Sequence, residues 1–297
     1  MNNFVILIPS YNDWDNLNVL IPKIHHTVKD LDKNISIIIV NDASTIKKNL
    51  IFKNRLCFKK IEIMNLSENV KAQKAIATAL YYLKKKNYKE GIILMDADGQ
   101  DDPDKLLEII SHSEKNPETI LTANRTKRNE GLIFKILYEI HLFITYIFTF
   151  KNLRFGLYTY MHPLHLNKIL SNNDLCSAFA AAIAKNFKNK NIIYSERKKR
   201  LLGNSKNNYF DLVYYSLSIL SVFKYRVLIH TLIILLILSL LSNFKIFSLF
   251  FSTGFIVLSV FNILIFLINF RNNKFRVENS LDNVDNMENV THGSSDI

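Results

Sequence analysis

Five aspartates fall within nine positions in the stretch IILMDADGQDDPD, residues 92–104. Carboxylates this close repel one another, so the cluster implies that a cation is held against some of them. A calcium loop counted from Asp96 needs Gly at its sixth position and Glu at its twelfth. Asp101 and Leu107 stand there, which excludes that loop. A Mg²⁺ or Mn²⁺ ion is a better match, because it takes one or two carboxylates and fills its shell with diphosphate oxygens and water. Asp98 and Gln100 are then the metal contacts, with Asp96 on the nucleotide side. Asp101, Asp102 and Asp104 read as acids in the first turn of the following helix, which Pro103 opens.

These residues need a scaffold, and residues 1–130 supply one. FVILI (4–8), ISIIIV (35–40), KIEIM (60–64) and GIILM (91–95) are short apolar runs bounded by polar residues, the signature of buried strands. Helical patterns separate them at 16–31, 71–85 and 103–115. Strand alternating with helix predicts an α/β layered domain with a mostly parallel sheet. Ligands bind such sheets beyond the carboxyl ends of the strands. IPSYND, NDAST and DADGQ all fall at those ends.

The rest of the chain changes character. Residues 227–242 and 246–269 carry no formal charge, and only Asn243–Lys245 separate them. A bilayer takes about 20 apolar residues to cross, so 227–270 reads as a two-helix transmembrane hairpin. A third apolar run at 132–150 contains Lys135, Glu139 and His141. Were it a span, residues 151–226, with thirteen Lys/Arg against three Asp/Glu, would sit across the membrane from the first domain, against the positive-inside rule. Residues 131–226 are therefore expected to form a part of the chain with interfacial helices. Residues 271–297 begin basic and end polar, and read as a disordered cytoplasmic tail. The N-terminus reads as a first strand and not as a signal peptide. Cys57 and Cys176 show no metal spacing and fit a reducing compartment. The net charge of +12 calls for an anionic partner. Phosphorylated ligands and an anionic membrane satisfy it without nucleic acid.

IPSYND (8–13), VNDAST (40–45), MDADGQDDPD (95–104) and RKKRLLGNSK (197–206) together resemble family 2 glycosyltransferases, above all the polyprenyl-phosphate glycosyltransferases. The resemblance covers residues 4–225, and the hairpin is similar to that of membrane-anchored members. It implies a GT-A fold, Rossmann-like with a mostly parallel sheet, and a multi-pass membrane enzyme whose catalytic domain faces the cytoplasm. It also implies inverting, metal-dependent transfer of a sugar from a nucleoside diphosphate to a polyprenyl phosphate. Pro9, Tyr11, Asp13, Asp42 and Asp96 would bind the nucleotide sugar, and Asp96 and Asp98 would be catalytic. Asp98 and Gln100 would hold Mg²⁺ or Mn²⁺. Arg125, Arg128, Arg200, Ser205 and Lys206 would bind the acceptor phosphate, while Lys198 and Lys199 suit anionic lipid heads.

The sequence also departs from the family. Arg154 in RFGLYTY stands where many bacterial members carry an Asp, a candidate base. A phosphate monoester with its second pKa near 6 is already mostly ionised at neutral pH and needs no strong base. Arg154 therefore weighs more heavily against a sugar-hydroxyl acceptor than against a lipid phosphate. Asp174 is a further acid in this region. Three alternatives stay open: transfer to a saccharide or other lipid, a non-catalytic homologue that binds nucleotide sugar or lipid, and a phosphatase. DADG resembles the motif of haloacid-dehalogenase-like phosphatases, but Gln100 follows the glycine and the motif lies ninety residues into the chain. A homo-oligomer is compatible with the sequence.

Overall fold

The computed structural model describes residues 3–52, 56–128, 132–203, 208–241 and 245–290. The first half alternates as expected: β1 (Asn3–Ser10), α1 (Trp14–Val28), β2 (Asn34–Asn41), β3 (Lys60–Leu66), α2 (Ala72–Lys85), β4 (Gly91–Leu94) and α3 (Lys105–Lys115). Then follow β5 (Ile120–Arg128), α4 (Leu132–Thr149), β6 (Phe155–Met161), the short helices α5 (Leu166–Ile169), α6 (Asp174–Ser177) and α7 (Phe179–Asn186), and β7 (Asn191–Arg197). The chain ends in α8 (Tyr209–Val222), α9 (Lys224–Leu241), α10 (Lys245–Asn273) and β8 (Val284–Asn289).

Among the described residues the eight strands form one sheet in the order β7-β5-β6-β4-β1-β2-β3-β8. The central β4-β1-β2-β3 strands are parallel, and β6 runs antiparallel to β4 and β5. The strand runs are continuously apolar because both faces of the sheet are covered. Val5, Leu7, Ile38 and Val40 pack in one core with Ile76, Leu80 and Phe179 of α2 and α7. Phe4, Ile6, Ile8, Ile37 and Ile39 pack in the other with Leu17, Leu20 and Ile109 of α1 and α3.

This order decides where the chemistry falls. β4, β1 and β2 are neighbours and parallel, so the loops after them, carrying Asp96–Gln100, Tyr11–Asp13 and Asp42, emerge side by side on one rim. β7 is separated from β4 by two strands, yet the segment after it folds back over the loop after β4.

α9 and α10 are long and apolar enough to cross a membrane. At 1.5 Å per residue, the 18 residues of α9 rise about 27 Å and the 29 of α10 about 43 Å. Polar contacts tie them to each other and to α8. Lys224 Nζ donates to Asn269 Oδ1 at 2.6 Å, Asn269 Nδ2 to Ser221 O at 3.1 Å, and Tyr214 Oη to Asn272 Oδ1 at 2.8 Å. α4 packs on this bundle, with Phe148 and Phe261 ring centroids 5.2 Å apart. It leaves Ile136, Ile140 and Phe143 exposed.

One expectation is overturned. Residues 271–297 are not simply a disordered tail, because β8 pairs antiparallel with β3 and closes that edge of the sheet. Asn65 Nδ2 donates to Asn286 Oδ1 at 2.7 Å and Ser67 N to Asn283 O at 2.9 Å. The polar sequence VDNMEN pairs through its backbone, which a reading based on apolar periodicity does not detect. Residues 291–297 lie outside the described residues.

Candidate active site

The loop after β4 is shaped by its own carboxylates. Asp98 Oδ1 accepts from Gln100 N at 3.0 Å, and Asp101 Oδ2 accepts from Asp96 N at 3.0 Å. Gly99 sits at φ +72°, a left-handed conformation that favours glycine. A side chain there would also meet Leu201, whose Cδ2 would be 3.3 Å from its first carbon and whose Cγ and Cδ1 would be closer still. Asp101 therefore corrects its sequence assignment: it is buried and turned into the loop, and does not cap α3.

The segment 197–202 straps across this loop. Lys198 N donates to Gln100 O at 2.9 Å, and Leu201 N to Asp98 O at 3.0 Å. Asn16, in the first turn of α1, holds the far end. Its Oδ1 accepts from Leu202 N at 2.8 Å, while its Nδ2 donates to Asp13 Oδ1 at 3.0 Å. Arg200 completes the bridge, with Nη2 on Asp13 Oδ1 and Nη1 3.4 Å from Asp98 Oδ2. Arg200, assigned from sequence to the acceptor phosphate, thus ties together two carboxylates assigned to the donor.

Gln100 also departs from its assignment. Its Oε1 accepts from Arg197 Nε at 3.0 Å, so the atom expected on a metal faces a guanidinium. A divalent ion there would be repelled by Arg197. Asp98 does suit an ion, being an acidic, mostly buried side chain whose Oδ2, among the described residues, has only the long contact to Arg200. Among the described residues no three His, Cys, Asp or Glu side chains form a metal-binding group.

Asp96 faces the other way. Its Oδ2 is 3.8 Å from Arg125 Nη2. Burial pushes its carboxyl up to about 7; Asp101 and Asp98 add to the shift, while Arg125 and Arg197 oppose it. Burial likewise raises Asp101, against Arg125. Three crowded acids thus share a poorly solvated site, and a neighbouring cation would relieve their repulsion. Tyr138 of α4 and Tyr215 of α8 lie within electrostatic range of Arg125, and burial drives the Tyr215 phenol up to about 12. Neither tyrosine stands in a recognisable motif. Their i,i+4-spaced apolar neighbours mark only the helices that carry them.

Asp42 is 3% exposed, and both its oxygens are engaged, accepting from Val70 N at 2.8 Å and Lys71 N at 2.9 Å. It fixes the turn into α2, a different set of partners from the nucleotide base expected of it. Lys71 pays for that turn with φ 75° and ψ 151°, a region otherwise left to glycine. Tyr11 is half-buried, and Pro9 is buried in β1 opposite Val40. Asn12 N donates to Ser44 Oγ at 2.9 Å, joining the loops after β1 and β2.

The acceptor-side expectations divide. Arg125 and Arg200 both reach the carboxylates, on opposite sides. Ser205, Lys206 and the Arg128 side chain lie outside the described residues, although the Arg128 backbone pairs with Arg197 between β5 and β7. Lys198 binds Asp102 at 2.7 Å, and Lys198 and Lys199 both line an open cleft with Lys23 and His26. Arg154 forms a forked pair with Glu139 of α4, at 3.1 and 3.3 Å. Asp174 is buried and paired with Lys185 at 2.7 Å.

Parallel strands presenting carboxylates at one rim, with a cationic strap above them, fit the GT-A fold class. The chain belongs to glycosyl transferase family 2, whose model matches residues 5–175. It is 30% identical over 130 residues to an uncharacterized glycosyltransferase of Synechocystis, covering 42% of this chain and 38% of that protein. It is 26% identical over 133 residues to the uncharacterized glycosyltransferase YkcC of Bacillus subtilis, covering 44% and 40%. The matched region thus spans about two fifths of the length of these relatives. Mannosyl-3-phosphoglycerate synthase of Rubrobacter xylanophilus shares the fold, with a TM-score of 0.52 at 13% identity over 75% of this chain and 73% of that one.

Proposed function

We propose that this chain is a membrane-anchored glycosyltransferase that moves a sugar from a nucleoside-diphosphate sugar to a polyprenyl phosphate, with inversion. The observation that carries the reading is Arg125. It meets Asp96 and lies within electrostatic range of Tyr138 and Tyr215, and those tyrosines belong to helices that pack on the apolar hairpin. A cation beside the proposed donor carboxylate and near two helices packed on the hairpin suits an acceptor that is a phosphate on a lipid.

In this reading Tyr11, Asp13 and the loop held by Asp42 receive the nucleoside. Asp98 would hold Mg²⁺ or Mn²⁺, which supplies Lewis-acid neutralisation of the departing diphosphate. Arg125, joined by Arg128, Arg200, Ser205 and Lys206, orients the acceptor phosphate. An ionised phosphate oxygen forms the new bond to the anomeric carbon. The bond from the anomeric carbon to the nucleoside diphosphate breaks, and its electron pair leaves on the diphosphate oxygen. The acceptor carries no proton that must be removed, so the commitment of Arg154 to Glu139 costs the reaction nothing. A saccharide hydroxyl would need a base. The catalytic domain lies on the cytoplasmic face, in keeping with the basic segment 151–226. β8 rejoins the sheet after α10, so both ends of the hairpin return to the α/β domain.

One observation favours a second reading. Arg200 covers both Asp13 and Asp98, as it could in a homologue that binds ligand without turnover. The test uses full-length protein in detergent with Mg²⁺ or Mn²⁺, radiolabelled UDP- and GDP-sugars and undecaprenyl phosphate. A labelled lipid extractable into organic solvent is expected. Nucleotide-sugar binding without product from any donor would move the assignment to the non-catalytic reading.

A further inference from the structure

We propose that Gly156 is a positioning residue whose missing side chain seats the Arg125 guanidinium beside Asp96. Gly156 is the second residue of β6, inside a strand, where glycine weakens the ladder and signals a close approach. Its backbone does not demand glycine, since it is absent from the positive-φ residues. The approaching group is Arg125. A first side-chain carbon built on Gly156 would lie 2.8 Å from Arg125 Cζ and closer still to Nη2.

The surrounding contacts explain why Arg125 lies there. Its backbone N donates to Arg154 O at 2.9 Å, anchoring β5 to the start of β6. The β5–β6 register shifts between Thr122 and Asn124, just before Arg125. The side chain then crosses Gly156 to bring Nη2 within 3.8 Å of Asp96 Oδ2, and it stays only 17% exposed. Alanine at 156 would collide with the end of a flexible side chain and not with backbone. The fold can accept that change by moving the guanidinium, so the substitution separates position from stability.

The consequence for transfer rests on the proposed role of Arg125 at the acceptor phosphate, but the seat itself can be read without it. Three variants are needed: Gly156→Ala, Arg125→Lys and the double variant. Lysine lacks the planar fork that would strike the added methyl. The first readout is the rate at which phenylglyoxal, an arginine-selective reagent, modifies Arg125, followed by peptide mass spectrometry. Gly156→Ala should label faster at Arg125 than wild type while melting at the wild-type temperature. The second readout is transfer to undecaprenyl phosphate from whichever of UDP-glucose, UDP-N-acetylglucosamine and GDP-mannose the wild type uses. A misplaced group costs up to about a hundredfold in rate, so a loss of about tenfold or more is expected for Gly156→Ala. Adding Gly156→Ala to the Arg125→Lys variant should cause little further loss.

Unchanged Arg125 labelling in Gly156→Ala overturns the proposal. An equal loss in both backgrounds also overturns it, because the effect would not pass through Arg125. Faster labelling with no lipid product from wild type upholds the seat and rejects the acceptor assignment.

Discussion

Replacing Arg200 by Gln should move two measurable quantities in opposite directions. Arg200 Nη1 lies 3.4 Å from Asp98 Oδ2, with both side chains mostly buried at 14% and 16% exposure. Opposite charges at that distance attract by about 5 kcal/mol gross at an effective dielectric near 20. Desolvation consumes most of that, and a hydrogen bond to a charged group nets about 1.5–3 kcal/mol. A divalent ion reaching Asp98 must displace this contact and also meets a like charge. Removing the guanidinium should therefore tighten binding of free Mn²⁺ by about tenfold, the equivalent of 1.4 kcal/mol. The same variant should transfer sugar more slowly, because it loses a cation proposed for the acceptor phosphate. Isothermal titration calorimetry with MnCl₂ alone, beside the lipid-transfer assay, reads both. Weaker or unchanged Mn²⁺ affinity in Arg200→Gln would refute the view that Arg200 and the metal compete for Asp98.

Other perturbations address the frame. Without divalent cations, the raised Asp96 carboxyl contributes stability fully present below the ordinary carboxylate pKa near 4 and lost as pH rises through about 7. The melting temperature of wild type should therefore fall over that window more steeply than that of Asp96→Asn. Lys71→Gly should stabilise the protein by about 1 kcal/mol or more by relieving its backbone strain, raising the denaturation midpoint. Deleting residues 284–297 exposes the β3 edge, so the truncated protein should melt lower and aggregate on gel filtration, which loss of a disordered tail would not cause.

Much of the frame was legible because it is written in local patterns. FVILI, ISIIIV and GIILM are strands because both sheet faces are buried, and DADG follows the last of them directly. The hairpin shows in its uncharged apolar runs, and α4 in an apolar run that Lys135, Glu139 and His141 interrupt. The site was less legible, because its contacts join residues roughly a hundred positions apart. Gln100 looked like a metal ligand until Arg197, 97 residues on, was placed on its oxygen. Asp101 sits in a pattern that reads as a helix start, and only the turn at Gly99 directs it inward. Arg200 matched a phosphate motif, yet nothing local announces that it spans Asp13 and Asp98. β8 was missed because edge pairing uses backbone groups that every residue carries.

The most direct test of the account compares initial transfer rates of wild type and Asp98→Asn under saturating Mg²⁺ or Mn²⁺. Asparagine keeps the shape of the side chain and removes the charge that would hold the ion. Loss of a preorganised electrostatic group costs about a hundred- to a thousandfold in rate. A fall of that size in labelled lipid, with folding intact, is the predicted result. Wild-type rates in Asp98→Asn would contradict the assignment of the cation to this carboxylate.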